Sequence, residues 1–402
     1  MSNSLLTPTI IAKEGLMQLR NNLVMGGLVH REYREEFRKV GDTIQIRRPV
    51  KFTAQDGATR IHQDVTEGYI SMIVNKRKHV SWGFTTQDLT LTVEQYSERY
   101  ITPAAIELAN VVDTDLLGLY DDVANSVGTP GSTPNTFMAL GDIGIKMDDN
   151  AVPDDGRRYV VLNPKSKWYM ADALKGSFDK DLAKNTVRRG MLGRIANLMT
   201  YGDQNVARHT TGSRVADSIT LTGNIDDSYS TSLNYSVIGM ENFDSATGTI
   251  KAGDVFTIAD VYAINPRNRN TLGELQQFVV LEDGAVSGSA VSNLKVFPRI
   301  IDSGAYQTVS ASAVAGAAIT FLGSASTAYP QNIGFHRNAF GCVFMPLELP
   351  RSATFKARST HEGTSIRIIE DFDIDNDEEI IRMDILYAVK TLYGELGVRL
   401  WG

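Results

Sequence analysis

Cysteine is almost absent. Cys342 is the only one in 402 residues, so no disulfide can form within the chain, which fits synthesis in a reducing compartment. It sits in Phe340-Gly-Cys-Val-Phe-Met345 and reads as a small buried apolar residue rather than a nucleophile. Long hydrophobic runs are missing too. No stretch approaches the ~20 apolar residues of a membrane helix, so no membrane partner is expected. The opening MSNSLLTPTIIAKEG lacks the basic-then-apolar layout of a signal peptide. Histidine is scarce: His30, His62, His79, His209, His336 and His361 never pair at ligand spacing, and each reads as a surface or satisfied core residue. There is no GxGxxG, GxxxxGK[ST], GxSxG or HExxH. A Ser/His/Asp or Cys/His site assembled in space would leave no local trace, but nothing marks one. No enzyme activity, cofactor, metal or catalytic residue is therefore expected.

A positive excess is missing as well. The net charge is −7, which argues against a dedicated nucleic-acid binder. The charge is uneven. Residues 1–100 hold 14 Lys/Arg against 11 Asp/Glu, a net of +3, so the remainder carries −10. That leaves room for one basic surface facing one partner. The length exceeds what one hydrophobic core normally supports, so two or three domains are expected.

Residues 1–40 show weak periodicity and mixed charge, with helical stretches possible at 12–24 and 29–39. They read as an arm that packs on something else. After the Gly41-Asp42 turn signal, Ile44, Ile46, Val50 and Phe52 share one strand face, and Pro49 suggests an edge. A second strand carries Ile70, Met72, Val74, Val80, Trp82 and Phe84 on one face, with the basic run Asn75-Lys-Arg-Lys-His79 at its middle. Together they predict a long two-stranded ribbon. A lone hairpin is marginal in water, so it needs a surface to lie on, such as another subunit. Thr102-Pro103 is a helix start, and apolar residues recur at helical spacing from Ala104 to Val123, predicting a helix over 103–126. Residues 133–210 alternate in αβ fashion. Residues 212–325 turn rich in Thr, Ser, Gly, Val and Ala, with strand candidates at 217–222, 233–239, 254–264 and 275–282, the spacing of an inserted small barrel or sandwich.

The stretch DFDIDNDEEI is acidic at seven of the ten positions from Glu370 to Glu379. Its D-x-D-x-D rhythm opens like an EF-hand loop. Counting from Asp371, however, position 6 is Asn376 instead of Gly, and position 12 is Arg382 instead of Glu. The flanks Ser365–Ile369 and Ile380–Tyr387 read as strands, not helices. The local reading is a β-hairpin with an acidic tip.

Several long motifs then resemble, in order, the coat proteins of P-twenty-two-like tailed phages. They are Val40-Gly-Asp-Thr-Ile-Gln-Ile-Arg-Arg-Pro49, Gly253-Asp-Val-Phe-Thr-Ile-Ala-Asp-Val-Tyr-Ala-Ile-Asn-Pro266 with Leu275-Gln-Gln-Phe-Val-Val280, Asn332-Ile-Gly-Phe-His-Arg-Asn-Ala-Phe340, Pro346-Leu-Glu-Leu-Pro350, and Ser365–Ile374 through Ile380–Tyr387. The resemblance covers most of the chain and is weakest over 1–40 and 285–325. It implies an α+β, Hong-Kong-97-type capsid fold. Its parts would be an N-terminal arm (1–40), an extended β-hairpin loop (41–91), a peripheral domain with a long spine helix (92–130), an axial domain (131–211), an inserted β-barrel-like domain (212–325), an axial return (326–363) and peripheral strands (364–402).

The implied function is structural: an icosahedral shell of hexamers and pentamers around double-stranded DNA, in a virion assembled in the bacterial host cytoplasm. The implied partners are the chain itself, a scaffolding protein, a portal protein and packaged DNA bound non-specifically, with decoration proteins left open. Some phages of this fold crosslink through Lys and Asn; Lys51, Lys76 and Lys78 lie on the ribbon, but the subfamily is not expected to crosslink. On this reading the acidic tip (Asp371, Asp373, Asp375 and Asp377) meets basic residues of a neighbour, with Arg47, Arg48, Lys76, Arg77 and Lys78 as candidates. The competing expectations are a calcium-dependent β-rich binding or adhesion protein using 371–379, and a hydrolase with a spatially assembled site.

Overall fold

The computed structural model describes residues 8–32, 43–85, 100–174, 192–214, 218–353, 355–376 and 378–402, except positions 55, 59, 61 and 64. The helix expected over 29–39 falls largely outside these residues, as does Asp377. The chain divides into two units. One comprises 1–45, 71–116 and 340–390; the other comprises 46–70, 117–339 and 391–402.

The first unit is built on a five-stranded sheet. Its members are Lys76–Thr85, Phe340–Phe344, Phe355–His361, Thr364–Asp373 and Glu378–Thr391, with the longest strand central. Helix Pro8–Asn22 packs on the strands Phe355–His361 and Thr364–Asp373. It buries Ile11, Ala12, Leu16 and Leu19, a spacing that repeats every two turns. Gly15 lets the sheet come close: a Cβ there would stand 3.2 Å from the Met383 methyl. The arm expected to pack elsewhere thus packs, over its described residues, on its own unit. Asp113 fixes it, accepting hydrogen bonds from the backbone N–H groups of Val24 (2.7 Å) and Gly26 (2.8 Å).

Helix Thr102–Leu117 has 16 residues, about 24 Å at 1.5 Å per residue. It buries Ala104, Ala105, Leu108, Ala109, Val112 and Leu116. The expected helix to 126 is shorter because a 3-10 turn, Gly118–Asp122, takes over at the glycine. Asp121 and Asp122 are also unfavourable residues for a helix C-terminus.

The expected long ribbon divides as well. Thr43–Arg47 pairs with Tyr69–Ile73 as a two-stranded sheet, but the basic segment beyond Asn75 leaves it and pairs with Glu378–Tyr387. The reason is burial. Val80 and Trp82 share a sheet face with Ile381, Met383 and Ile385, which are at most 6% exposed.

The second unit holds two sheets. The seven-stranded one combines Ser126–Val127, Arg158–Leu162, Arg194–Ile195, Leu198–Gly202, Arg208–Thr210, Ala328–His336 and Gly397–Trp401. Helices Phe137–Asp149 and Pro164–Leu174 cover it, with Leu140, Ile143, Met147 and Met170 fully buried. The last strand, expected beside the 364–391 strands, pairs instead with Gln331–Phe335; all five of its residues are buried. The inserted region forms an eight-stranded sheet from Thr220 to Phe321. It curls around one core that includes Phe256, Ile258, Phe278, Val280 and Val296. Observed strands Thr220–Leu221, Ser236–Glu241, Val255–Ile264 and Thr271–Val280 fall close to the four expected ones. Within this unit, residues 46–70 find the surface a lone hairpin needs. The Tyr69 N–H donates to the Thr231 carbonyl at 2.9 Å, and Tyr229 stacks on Tyr306 with centroids 3.7 Å apart. No helix among the described residues is long and apolar enough to cross a membrane.

Candidate functional site

The sequence-predicted residues fall on one sheet and one ribbon. Lys76, Arg77 and Lys78 lie opposite Tyr387, Leu386 and Ile385. Lys76 reaches Asp115 (3.1 Å), which also accepts from the Tyr387 hydroxyl (2.5 Å). Arg77 reaches Asp384 at 3.4 Å, while Lys78 is exposed. On the ribbon, Arg47 pairs with Glu67 at 3.1 Å, both well exposed, a contact worth little in water. Arg48 packs its aliphatic stem near Gly68. Three of the five basic candidates therefore have acidic partners in their own chain.

Asp384 is the hub that sequence reading missed. Its side chain has no exposed surface. Arg367 donates to its Oδ2 from Nη2 (2.5 Å) and Nε (3.2 Å), and Arg382 donates from Nε to Oδ1 (2.9 Å). Burial alone would raise this carboxyl; the hydrogen bonds and charges of Arg367 and Arg382 outweigh it and hold the group below the ordinary carboxylate value. Strand alternation could have found this cluster, because Arg367, Arg382 and Asp384 all have the parity of one sheet face.

The acidic stretch is the hairpin joining Thr364–Asp373 to Glu378–Thr391. Asp373 is spent on its own turn, accepting from the Asp375 N–H (3.0 Å) and the Asn376 amide (2.8 Å), with Asn376 the main cause of its lowered pKa. Phe372 (47% exposed) and Ile374 (83%) project from the same tip. Below them Glu370 is raised from 4.5 to about 8, first by burial, then by the hydrogen bond and charge of Glu379. The flanks are strands and not the two helices of an EF-hand. Among the described residues no group of three or more His, Cys, Asp or Glu is arranged to hold a metal ion. The calcium-dependent alternative has no support in this geometry.

The second unit contains the other ion cluster. Asp254 accepts from His209 Nε2 (2.9 Å), Arg214 Nη1 (3.2 Å) and the N–H groups of Gly212 (3.1 Å) and Lys251 (3.0 Å). Tyr120 and the other ring nitrogen of His209 are 3.1 Å apart. Gly253, at φ +92, must lack a side chain, since a Cβ would stand 3.2 Å from the His209 ring. Arg399, fully buried, donates to the Gly253 carbonyl (2.7 Å) and Gln331 (2.8 Å), and its charge lies over the Tyr120 and Trp401 rings. Burial lowers the Arg399 pKa to about 10, against the raising effect of Tyr120 and Asp254. A His–Asp pair with a tyrosine in the serine position invites a catalytic reading, but His209, Arg214 and Asp254 are at most 3% exposed. The cluster ties the inserted sheet to its neighbour. Cys342 is inert: burial pushes its thiol up to about 12.

The fold is that of tailed-phage capsid proteins, the Hong-Kong-97 type, mixed helix and sheet with strands predominant. It is similar to a structure from Mycobacterium phage Che8 at 13% identity, covering 94% of this chain and 90% of that one with a TM-score of 0.51. The model of the P22 coat protein family (gene protein 5) matches residues 2–402, and the chain belongs to that family. It is 25% identical over 427 residues to the major capsid protein of Acyrthosiphon pisum secondary endosymbiont phage 1, spanning 98% of this chain and 97% of that protein. A capsid structure from cyanophage P-SCSP1u is also similar, at 11% identity, covering 93% of this chain and 85% of that one with a TM-score of 0.45. The protein is a phage major capsid protein, a structural subunit whose copies build a shell.

Proposed function

We propose that this chain forms a closed icosahedral head of hexamers and pentamers around double-stranded DNA in the host cytoplasm, assembling first around a scaffolding protein and incorporating a portal. The observation that carries the reading is the family match over residues 2–402. Each interface would be modest and repeated. Apolar burial near ~25 cal/mol per Å² supplies most of its stability, and charge complementarity sets register and partner choice. The acidic tip and the basic residues Arg47, Arg48, Lys76, Arg77 and Lys78 are the candidate charged contacts. Lys78 is exposed, whereas Arg47, Lys76 and Arg77 have acidic partners within the chain. DNA would be held weakly, because a chain of net charge −7 has little overall attraction for phosphate.

Negative-stain microscopy of the full-length protein, expressed alone and with a scaffolding protein, tests the reading. Shells, tubes or sheets support it. A monodisperse monomer at high concentration under both conditions contradicts it.

A further inference from the structure

We propose that one face of the five-stranded sheet is a docking surface for the acidic hairpin tip of a second copy of this chain. The proposal rests on the shell-subunit reading and names the receptor that reading leaves open. One rung runs Arg358, Arg367, Asp384 and His79 across four strands in register. Arg358 and Arg367 are thus directly opposed cations, a pairing that costs stability in an isolated sheet. Arg367 is absorbed by Asp384. Arg358 instead donates to the Leu347 carbonyl at 3.3 Å and stays exposed. Arg77 and Arg382 flank the rung on the same face. Both point at Asp384, yet they remain 47% and 37% exposed. At the rung one carboxylate cannot neutralise four guanidinium groups, so the rung carries surplus positive charge; Asp371 and Asp373, carboxylates of the same face, lie toward the tip. The rung presents planar forks suited to bidentate carboxylates.

The tip supplies the complement. Asp375 is exposed, and beside it Ile374 and Phe372 leave apolar surface wet in the lone subunit. An apolar centre rimmed by charge is the anatomy of a protein interface. The contact cannot form within one chain. Glu378 pairs with Thr85 and Asp384 with His79, so tip and rung stand six residues apart on one strand, about 20 Å. The tip of one copy must meet the rung of another, a heterologous contact of the kind that builds closed arrays. DNA phosphates could compete for the same guanidiniums, but they have no use for Ile374 and Phe372, which favours the tip.

The test is a full-length double variant, Arg358→Cys with Asp375→Cys, assembled and then oxidised. Native Cys342 is buried and stays silent. The expected result is a ladder of dimers and larger species on a non-reducing gel, with monomer only for each single variant. In parallel, Arg358→Glu should lower shell yield roughly tenfold, Arg358→Lys should stay near wild type, and Arg358→Glu with Asp375→Arg should restore assembly. Unfolding midpoints of unassembled subunits check folding, and if Arg358→Glu misfolds the crosslink decides alone. Absence of the ladder, or no rescue among variants that unfold like wild type, overturns the proposal. So would normal shells of Arg358→Glu that retain less DNA, which would make phosphate the occupant. If wild type itself forms no shell, the capsid reading fails before this one is reached.

Discussion

Asp254 and Asp384 are both carboxylates without exposed side-chain surface, and both are held by arginine, yet their surroundings differ in kind. Asp254 is enclosed: His209 holds its Oδ1 and Arg214 its Oδ2, at 3% and 2% exposed, and two backbone N–H groups also donate to Oδ2. Asp384 has a buried side, Arg367, and an open side, where Arg77 and Arg382 face solvent. A sealed network fixes the geometry of its own unit. An open one keeps charge available for something outside the chain. The comparison separates residues closed within the subunit from residues that the proposed contact between copies would use.

That contrast can be broken by mutation. The largest effect is expected for Asp254→Ala, which strands Arg214, His209 and the buried Gly212 N–H group. Loss of one partner of a buried ion pair costs about 3–5 kcal/mol, readable in urea unfolding of the unassembled subunit. Asp384→Ala also strands the buried Arg367 but should cost less, about 1–3 kcal/mol, because Arg367 keeps its bond to the Glu348 carbonyl and Arg77 and Arg382 can turn to water. Equal losses would erase the distinction.

The next effect is a pH dependence in the first unit. The folded state holds the Glu370 proton more tightly than the unfolded chain, so its contribution is fully present below pH 4.5 and is lost as pH rises to about 8. The unfolding midpoint should fall across that window in wild type, and Glu370→Gln should flatten the fall. The smallest effect belongs to Lys78→Ala. An exposed residue without a buried partner should change subunit stability by less than ~0.5 kcal/mol. A larger change would assign it to the subunit core.

Much of the fold was legible because long motifs and alternating strands were. The inserted strands, the acidic hairpin and the final strand 397–401 follow from period-2 patterning and turn residues. Pairing partners were harder to read. The segment 70–84 reads as one strand in sequence, and only the apolar face of Ile381, Met383 and Ile385 explains why its basic half leaves the ribbon. The arm hid its core face because Ile11, Leu16 and Leu19 are interspersed with Lys13, Glu14 and Arg20. The basic and acidic candidates were visible as charge runs. Asp384 and Asp254 were not, since the residues that surround them lie up to 307 and 45 positions away in the chain. Cross-strand register and inter-sheet ties are tertiary facts, and a single sequence does not print them.

The most direct measurement is a three-dimensional reconstruction of particles formed by the full-length protein. A closed icosahedral shell of hexamers and pentamers, with each hairpin tip seated on a neighbouring copy, is the predicted result. Particles without closed symmetry, or a protein that stays monomeric with its scaffolding partner present, would contradict it.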